Sequence, residues 1–514
     1  MRLFAGDNVT QSAAGVITAT NLAVRYADLS QTDSALLDTA SNVVTNLAAT
    51  VTGTGTSPVE TANAFSFRNA TGTALNVTTV DGVAGISTST GAVTLSADSL
   101  NIAQPINAAT GSVTLRQASG ATPINLGTKA GGQLGLTQTE LNQITGSILR
   151  VGDAANAGGI TLSNSVTAPA GWNTLSLKTA GSVVQSAGAL NVPNVAVQAS
   201  GTVSLSNGST ANGQFAVSTT GPVSYAYGSG AAGALTVTTV DGVTGATTTN
   251  SDLSLTAGGG LTLTQNVAAG SGTVTLTAAS GGVNQSSGSL TAGALLLTGA
   301  GNFDLSQTGN DIGTLAAAIT GTLSFTDANA LTIGTVSGNN GIFTGNGGVT
   351  LRSNVIDIAQ NVASGGGSVT LTSTNPATAI DIGGTGAVNF ELSAAELNRV
   401  IAGGGALQIG DNNHTGSITL SAPVAPASVT GGISLVNRTG GIAINSTLVS
   451  GGGNSPVSLV ADGGAGVAGT ITSSGSTSGV SGSALTTQSS GGMTLNGSGN
   501  AVSSLTAINA TSGD

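Results

Sequence analysis

The segment NIAQPINAATGSVTL (Asn101 to Leu115) returns as DIAQNVASGGGSVTL (Asp357 to Leu371), an offset of 256 residues (357 − 101). The same offset carries Leu75 onto Leu331, ATPINLG (Ala121 to Gly127) onto ATAIDIG (Ala377 to Gly383), and Glu140 onto Glu396. After a two-residue insertion Gly152 and Asp153 match Gly410 and Asp411, Ile160-Thr161-Leu162 matches Ile418-Thr419-Leu420, and Leu175-Ser176-Leu177 matches Ile433-Ser434-Leu435. A shorter copy lies between them, where ALTVTTVDGVTG (Ala234 to Gly245) repeats ALNVTTVDGVAG (Ala74 to Gly85), and Leu331-Thr332-Ile333 opens the same segment again. A register held over such a distance is not compositional coincidence. Repeats of this kind bury their apolar faces by stacking on their neighbours, not as independent globules.

Within each copy, pairs of apolar residues flank one small polar residue, as in Val93-Thr94-Leu95, Val113-Thr114-Leu115, Ile124-Asn125-Leu126, Val203-Ser204-Leu205, Val274-Thr275-Leu276, Val349-Thr350-Leu351 and Val369-Thr370-Leu371. Alternation with period two predicts strands with one face buried. Clusters of Gly, Asn, Ser and Asp between them supply turns. Similar strands recur about every 20 residues, from Val93 to Val113, Val203 to Val223 and Val349 to Val369. That spacing predicts coils of a β-solenoid with two or three short strands each. A sandwich array would need an aromatic anchor per domain, and the chain has one Trp, Trp172, and three Tyr.

The pattern predicts an all-β chain organised as an N-terminal segment over 1–60 and a continuous β-helix over 61–514, the latter containing the duplication 75–177 and 331–435. Three short excursions read as helical. TQTELNQITGSIL (Thr137 to Leu149) and SAAELNRVIAGG (Ser393 to Gly404) each open with a Ser/Thr-x-x-Glu capping box, at equivalent points of the two long copies. The third, QTDSALLDTASNVVTNLAATV (Gln31 to Val51), is expected to cover an N-terminal edge.

Charged residues are 6% of the chain, aromatic residues 2%, and Gly fills 80 of 514 positions, far from the roughly 25% charge of an ordinary soluble domain. The 39% of hydrophobic residues are patterned, so the composition is that of a folded chain and not of a disordered one. The formal net charge of −11 comes from scattered side chains, and without a basic stripe in the sequence neither nucleic acid nor an anionic membrane is an expected partner. No apolar run reaches the roughly 18 residues of a membrane span. The N-terminus MRLFAGDNVTQSAAG carries no apolar core of a secretory signal, and the repeat pattern begins almost at once, so the chain reads as a piece of something longer. Cysteine is absent, which removes disulfides, thiolate catalysis and Cys-based metal sites and suits passage through an oxidising compartment.

The sequence assigns no catalytic, cofactor-binding or metal-binding residue, and no cofactor. The single histidine, His414, sits in the turn cluster GDNNHTG and reads as a solvated loop residue. Paired-carboxylate chemistry would require stacking to align Asp81, Asp98 and Asp153, or Asp357 and Asp381, on successive coils. GAGVAG (Gly464 to Gly469) matches a dinucleotide-binding string but reads as a turn. The sequons Asn69 to Thr71 and Asn76 to Thr78 follow from the composition.

The stretches NDIGTLAAAITGTLSFTDANALTIGTV (Asn310 to Val336) and LTQTELNQITGSILRVGDAANAGGITL (Leu136 to Leu162) resemble the large filamentous-haemagglutinin-like repetitive exoproteins of Gram-negative bacteria, a likeness running from Thr73 to Val436. The resemblance implies a right-handed parallel β-helix, exported with an outer-membrane secretion partner and displayed or released for adhesion. It offers no catalytic residues. The expectation is a non-catalytic stalk or adhesin segment, secreted or at the cell surface, whose partner is a receptor or glycan on a host or bacterial surface. The alternatives are a flat-faced solenoid binding ice or carbohydrate, which predicts regular Thr ranks on one face, and a polysaccharide-degrading β-helix enzyme, which predicts a carboxylate cluster in a cleft.

Overall fold

A computed structural model gives the structure, which describes residues 1–26, 34–51, 63–228, 233–384, 390–463 and 469–509. Short strands follow one another along the whole described chain, interrupted by two single helical turns and one 3-10 turn. Nearly all pairing is parallel between successive coils, so the fold is the all-β parallel β-helix that the repeats predict. The chain divides into two compact units, Met1–Gly258 and Gly259–Asp514.

In the first unit the Val-x-Leu triplets stack in register. Phe65, Val93 and Val113 pair in sequence, as do Phe67, Leu95 and Leu115, and Leu149, Leu175, Val195 and Phe215 continue the stack. These side chains are buried while the residues between them face outward, which is the period-two pattern closed around an apolar interior. Because a parallel strand must return before it can pair again, each coil turns at corners. Buried asparagines satisfy the backbone there: Asn207 accepts from the Val192 and Ser209 N–H groups and donates to the Val192 carbonyl.

The second unit repeats the arrangement. Phe303, Leu323, Val349, Val369, Leu407, Ile433, Val457 and Leu485 form one inward column. Glycine has a specific task in it. Gly301, Gly321, Gly347, Gly367, Gly405 and Gly431 stand above one another at one corner, and a Cβ on any of the last five would lie within 2.1–2.5 Å of the backbone of the glycine below. The high glycine content is in part the condition for packing six corners directly on top of each other.

The TTVDG motif forms something the alternation alone does not predict. Thr79–Val80 with Val83–Ala84, Thr239–Val240 with Val243–Thr244, and Thr335–Val336 with Asn339–Asn340 are antiparallel two-residue hairpins. Asp81 and Gly82 (φ 53° and 74°), Asp241 and Gly242 (47° and 78°), and Ser337 and Gly338 (47° and 83°) form their tips, with the two positive φ values of a type I′ turn. The hairpins lie on the outer face of the sheet. Val80 and Val83 pack on Ala23 and Ala48, Val240 and Val243 on Ala196 and Ala216, and Val336 on Ala316 and Leu296.

The two capping boxes do open helical turns, Gln138–Leu141 and Ala394–Leu397, each a single turn before the chain returns to strand. The third predicted helix is not one. Its described part forms the strand Ala35–Val51, residues 31–33 lying outside the described ones. Ala35, Leu37, Ala40, Asn42 and Val44 point inward. The strand pairs with Thr18–Tyr26 and with Phe65–Asn69, and bonding on both sides outweighs the intrinsic helix preference of Ala and Leu. Solenoid strands therefore start at Arg2, whose strand Arg2–Ala5 pairs with Ala23 to Tyr26, well before residue 61. No helix among the described residues is long and apolar enough to cross a membrane.

Candidate ligand groove on the first unit

Ten Lys and Arg residues serve the whole chain, and the strand register brings three of them into one outward row. Ser96 pairs with Arg68 on one side and with Arg116 on the other. Leu115 pairs with Val151, which sets Arg116 beside Gly152, and Gly152 pairs with Lys178. The row therefore reads Arg68, Ser96, Arg116, Gly152, Lys178, and continues through Gln198, Ser218 and Thr247. These cations start from every second rung but do not stay apart: Arg68 Nη2 reaches the Ala118 carbonyl at 3.4 Å and Arg116 Nε the Ser96 hydroxyl at 2.6 Å, so the two side chains converge over Ser96, which is buried.

Three contiguous depressions follow this row. One of about 170 Å³ lies between Arg68, Ser96, Arg116 and Asp153. The next, about 300 Å³, shares Arg116 and Asp153 with it and adds Arg150, Ser176, Lys178 and Asp241. The third, about 380 Å³, shares Lys178 and Gln198 and is floored by Thr179, Thr219, Thr220 and Thr248. Those hydroxyls donate to carbonyls of their own or the neighbouring coil, at 2.6 Å from Thr179 to Asn156, 2.5 Å from Thr219 to Gly201 and 2.6 Å from Thr220 to Ser200. Thr179 and Thr219 are buried and also accept from the Gly181 and Gly221 N–H groups, so the hydroxyls open to a ligand are those of the exposed Ser200, Ser218, Thr220 and Thr249.

The acids around the row are already engaged. Asp241, at the tip of the second hairpin, receives Arg150 Nε at 2.9 Å and Nη2 at 2.6 Å. Burial pushes the Asp241 carboxyl up, but the hydrogen bonds from Arg150 and Ser176 and the charges of Arg150 and Lys178 hold it below the ordinary carboxylate range. Asp98 accepts from the Ala118 and Ser119 N–H groups. Asp153 accepts from Gln117 and from the Ala155 N–H. Arg116 sits loosely between carboxylates, 3.7 Å from Asp153 and 4.0 Å from Asp38, with its Nε on Ser96 Oγ at 2.6 Å. Lys178 is exposed and reaches no carboxylate within ion-pairing distance among the described residues.

Of the aspartates expected to align, Asp98 and Asp153 lie at one corner but bind different groups there, Asp98 the Ala118 and Ser119 N–H groups and Asp153 the Gln117 amide. Asp81 is carried away on the first hairpin, where Arg2 and Arg25 bind it. Asp357 pairs alongside Thr332, and Asp381 lies in another sheet, where it takes a hydrogen bond from Ser421. No group of three or more His, Asp or Glu side chains that could hold a metal forms among the described residues.

His414 is not a solvated loop residue. It is 1% exposed, and neither ring nitrogen makes a hydrogen bond of ordinary geometry. The turn folds inward because its backbone is consumed by the stack: the His414 N–H donates to the Asp411 carbonyl and its own carbonyl accepts from Arg438 one coil on. The duplication places His414 where the first unit has Asn156, also fully buried. Burial pushes the imidazole below its usual value, opposed in part by the Asp411 charge and the Ser417 backbone. GAGVAG lies outside the described residues except for Gly469.

The two duplicated glutamates prove to be pins. Glu140 accepts from the Thr137 N–H and hydroxyl, from the Ile102 N–H of the preceding coil and from Lys129. Burial pushes its carboxyl up, and the Lys129 ammonium with these hydrogen bonds more than offsets this and holds it below the ordinary value. Glu396 repeats the set on Ser393 and Ile358. Regular Thr ranks are not what the outer face of the second unit shows. One column there runs Asn284, Asp304, Ser324, Thr350, Thr370, Gln408, Ser434, Ser458, Thr486, Thr506.

Comparison with protein-family models, with curated proteins and with solved structures returned no match to this chain.

Proposed function

We propose that the chain is a non-catalytic segment of a secreted or surface-displayed exoprotein, in which the solenoid holds an adhesive surface in place and the groove of the first unit makes the contact. The observation that carries this reading is the groove itself. Polar side chains repeat on successive rungs of a rigid sheet, open along their length, so a long ligand would be held through many weak contacts in series. Backbone ladders fix the spacing of those contacts before any ligand arrives, which lowers the ordering cost of binding. Exposed hydroxyls, the Gln198 amide and the exposed Lys178 ammonium suit a polymer rich in hydroxyl groups, such as a glycan of a host or bacterial surface.

Beads coated with the purified chain test this on an array of immobilised polysaccharides and on cell monolayers. Retention that is lost when Lys178 and Gln198 are both changed to Ala, with the melting transition unchanged, is the expected result. Retention indifferent to those substitutions, or none on any surface, overturns the reading.

A further inference from the structure

We propose that the outer face of the second unit carries a stacking platform for a sugar ring, made by Phe343 with Ala318, Ala363 and Ile401, and that it takes a neutral β-linked glucan by the bare C–H face of one pyranose, a contact that rests on the adhesive reading above and adds to it. Of the eight phenylalanines, Phe65, Phe67, Phe215, Phe303, Phe325 and Phe390 are fully buried. The exposed two are Phe4 and Phe343, at 60% and 56%. Phe4 belongs to the strand Arg2–Ala5, which pairs with one strand among the described residues. Phe343 lies inside the sheet instead, paired with Ala318 on one side and Ala363 on the other, and Ala363 pairs with Ile401. Backbone bonding on both sides thus fixes the aromatic ring in a column of apolar side chains on the outer face. Thr298 bounds the column, pairing with Ala318 and sharing a hydrogen bond with Thr277 at 2.7 Å.

The duplication shows that the fold does not require this stripe. The 256-residue offset sets Phe343, Ala363 and Ile401 on Ser87, Asn107 and Thr145, which pair in one column of the first unit beside Thr50. Three polar residues of one copy are therefore apolar in the other, at positions where the fold buries nothing, and such a surface marks an interaction site. Its size selects the occupant. A half-exposed phenylalanine offers on the order of 100 Å², far below the roughly 800 Å² that each partner of a stable protein complex buries, and comparable to one face of a pyranose. The polarised C–H groups of such a face meet the negative face of an aromatic ring favourably. Amides stand on both flanks. Asn340, in the hairpin before Phe343, accepts from the Thr335 hydroxyl at 2.7 Å, and Asn346, in the corner after it, accepts from the Gly366 N–H at 3.2 Å. Each keeps its NH₂ group to donate to sugar hydroxyls. Arg399, two residues before Ile401, turns its Nη1 to the Ile358 carbonyl at 2.9 Å, so the platform itself offers no charge and suits a neutral ligand. In β-1,4-linked glucose every substituent is equatorial, which leaves both ring faces bare and sets the hydroxyls at the rim, toward the amides.

Saturation-transfer NMR of the full chain with cellotetraose tests this, with maltotetraose, whose α-linkage places an axial oxygen on one ring face, as the comparison. The expected result is saturation concentrated on ring C–H protons of cellotetraose and weaker for maltotetraose. It should fall by roughly threefold or more in Phe343→Ser and in Phe343→Leu, and persist in Phe343→Tyr, which keeps the aromatic face. Phe343→Ser installs the residue of the first copy and should fold as the parent does, checked by its melting transition. Saturation unchanged in Phe343→Ser, equal for the two saccharides, or absent overturns the inference. So does sedimentation showing a dimer of the parent chain that Phe343→Ser abolishes, because the platform is then covered by a second copy. In each of these cases bead retention that depends on Lys178 and Gln198 leaves the adhesive reading standing; if that retention is absent as well, both fall.

Discussion

Two buried residues contribute to the pH response in opposite senses. Asp327 is fully buried and accepts from the Ile312 N–H at 2.7 Å and the Asn329 N–H at 2.9 Å. This is the corner geometry that Asn207 makes with Val192 and Ser209. Burial pushes its carboxyl from the ordinary 3.8 up to about 6, against those two hydrogen bonds and assisted by the charge of Asp311. A raised carboxylate pKa means that the stability it contributes is full below 3.8 and is lost as pH rises through about 6. Asp327→Asn should therefore stabilise the second unit at pH 7 by on the order of 1–2 kcal/mol, and give no gain near the acid end of the range. Urea titrations at the two pH values measure it, and equal effects at both would show that ionisation is not the cause. His414 works in the opposite sense. Its folded pKa is lowered, so its stability is full above the ordinary histidine value and drains away as pH falls below it. His414→Asn, the residue of the first copy, should flatten the fall in melting temperature between pH 7.5 and 5 relative to the parent chain. An identical slope in both would place the acid sensitivity elsewhere.

At the scale of elements, the stacked corner and the hairpins test how the coils fit. A methyl group on Gly367 would lie 2.5 Å from the Gly347 backbone, a contact that no side-chain rotation relieves. Gly367→Ala should cost about 1–3 kcal/mol as an overpacked site, read from the urea midpoint, whereas Gly452→Ala meets no atom within 4 Å and isolates the cost of its positive φ. Val240 fastens the second hairpin to Ala196 and Ala216. Val240→Ala removes about two methyl groups of burial, worth on the order of 1–2 kcal/mol, and should loosen the Asp241–Arg150 pair that borders the groove. Faster hydrogen exchange confined to residues 237–246 is the expected signature. Both features were written in the chain. Asp-Gly between β-branched residues is a hairpin signal, and the Ala pairs beneath are the small residues on which it can lie. The alternation of the surrounding strands masks the signal, because Thr-Thr-Val reads equally well as one more rung.

At the scale of the molecule, nearly every strand bonds only to the coil before and the coil after, so stability is a chain of nearest-neighbour terms. Exchange measured on Gly367→Ala should accelerate in the coils around residues 342–409 and leave the first unit as in the parent; acceleration throughout would show one cooperative block instead. The duplication, the period-two triplets and the turn clusters by themselves determined the parallel solenoid, the positions of its inward columns and the two capped helical turns, because each is dictated within a single coil by sterics and apolar burial. They did not determine the fate of Gln31 to Val51, where helix preference yields to pairing on both sides, nor the burial of His414, which depends on how the corner closes under Arg438. The gathering of cations at the groove belongs wholly to the tertiary structure. Arg68, Arg116 and Lys178 are 48 and 62 residues apart in the chain (116 − 68 and 178 − 116), a spacing that shows no period, since the helical excursion lengthens one coil between them. Only the hydrogen-bonded register, which ignores loop length and aligns strand on strand, gathers those scattered charges on one side of the first unit.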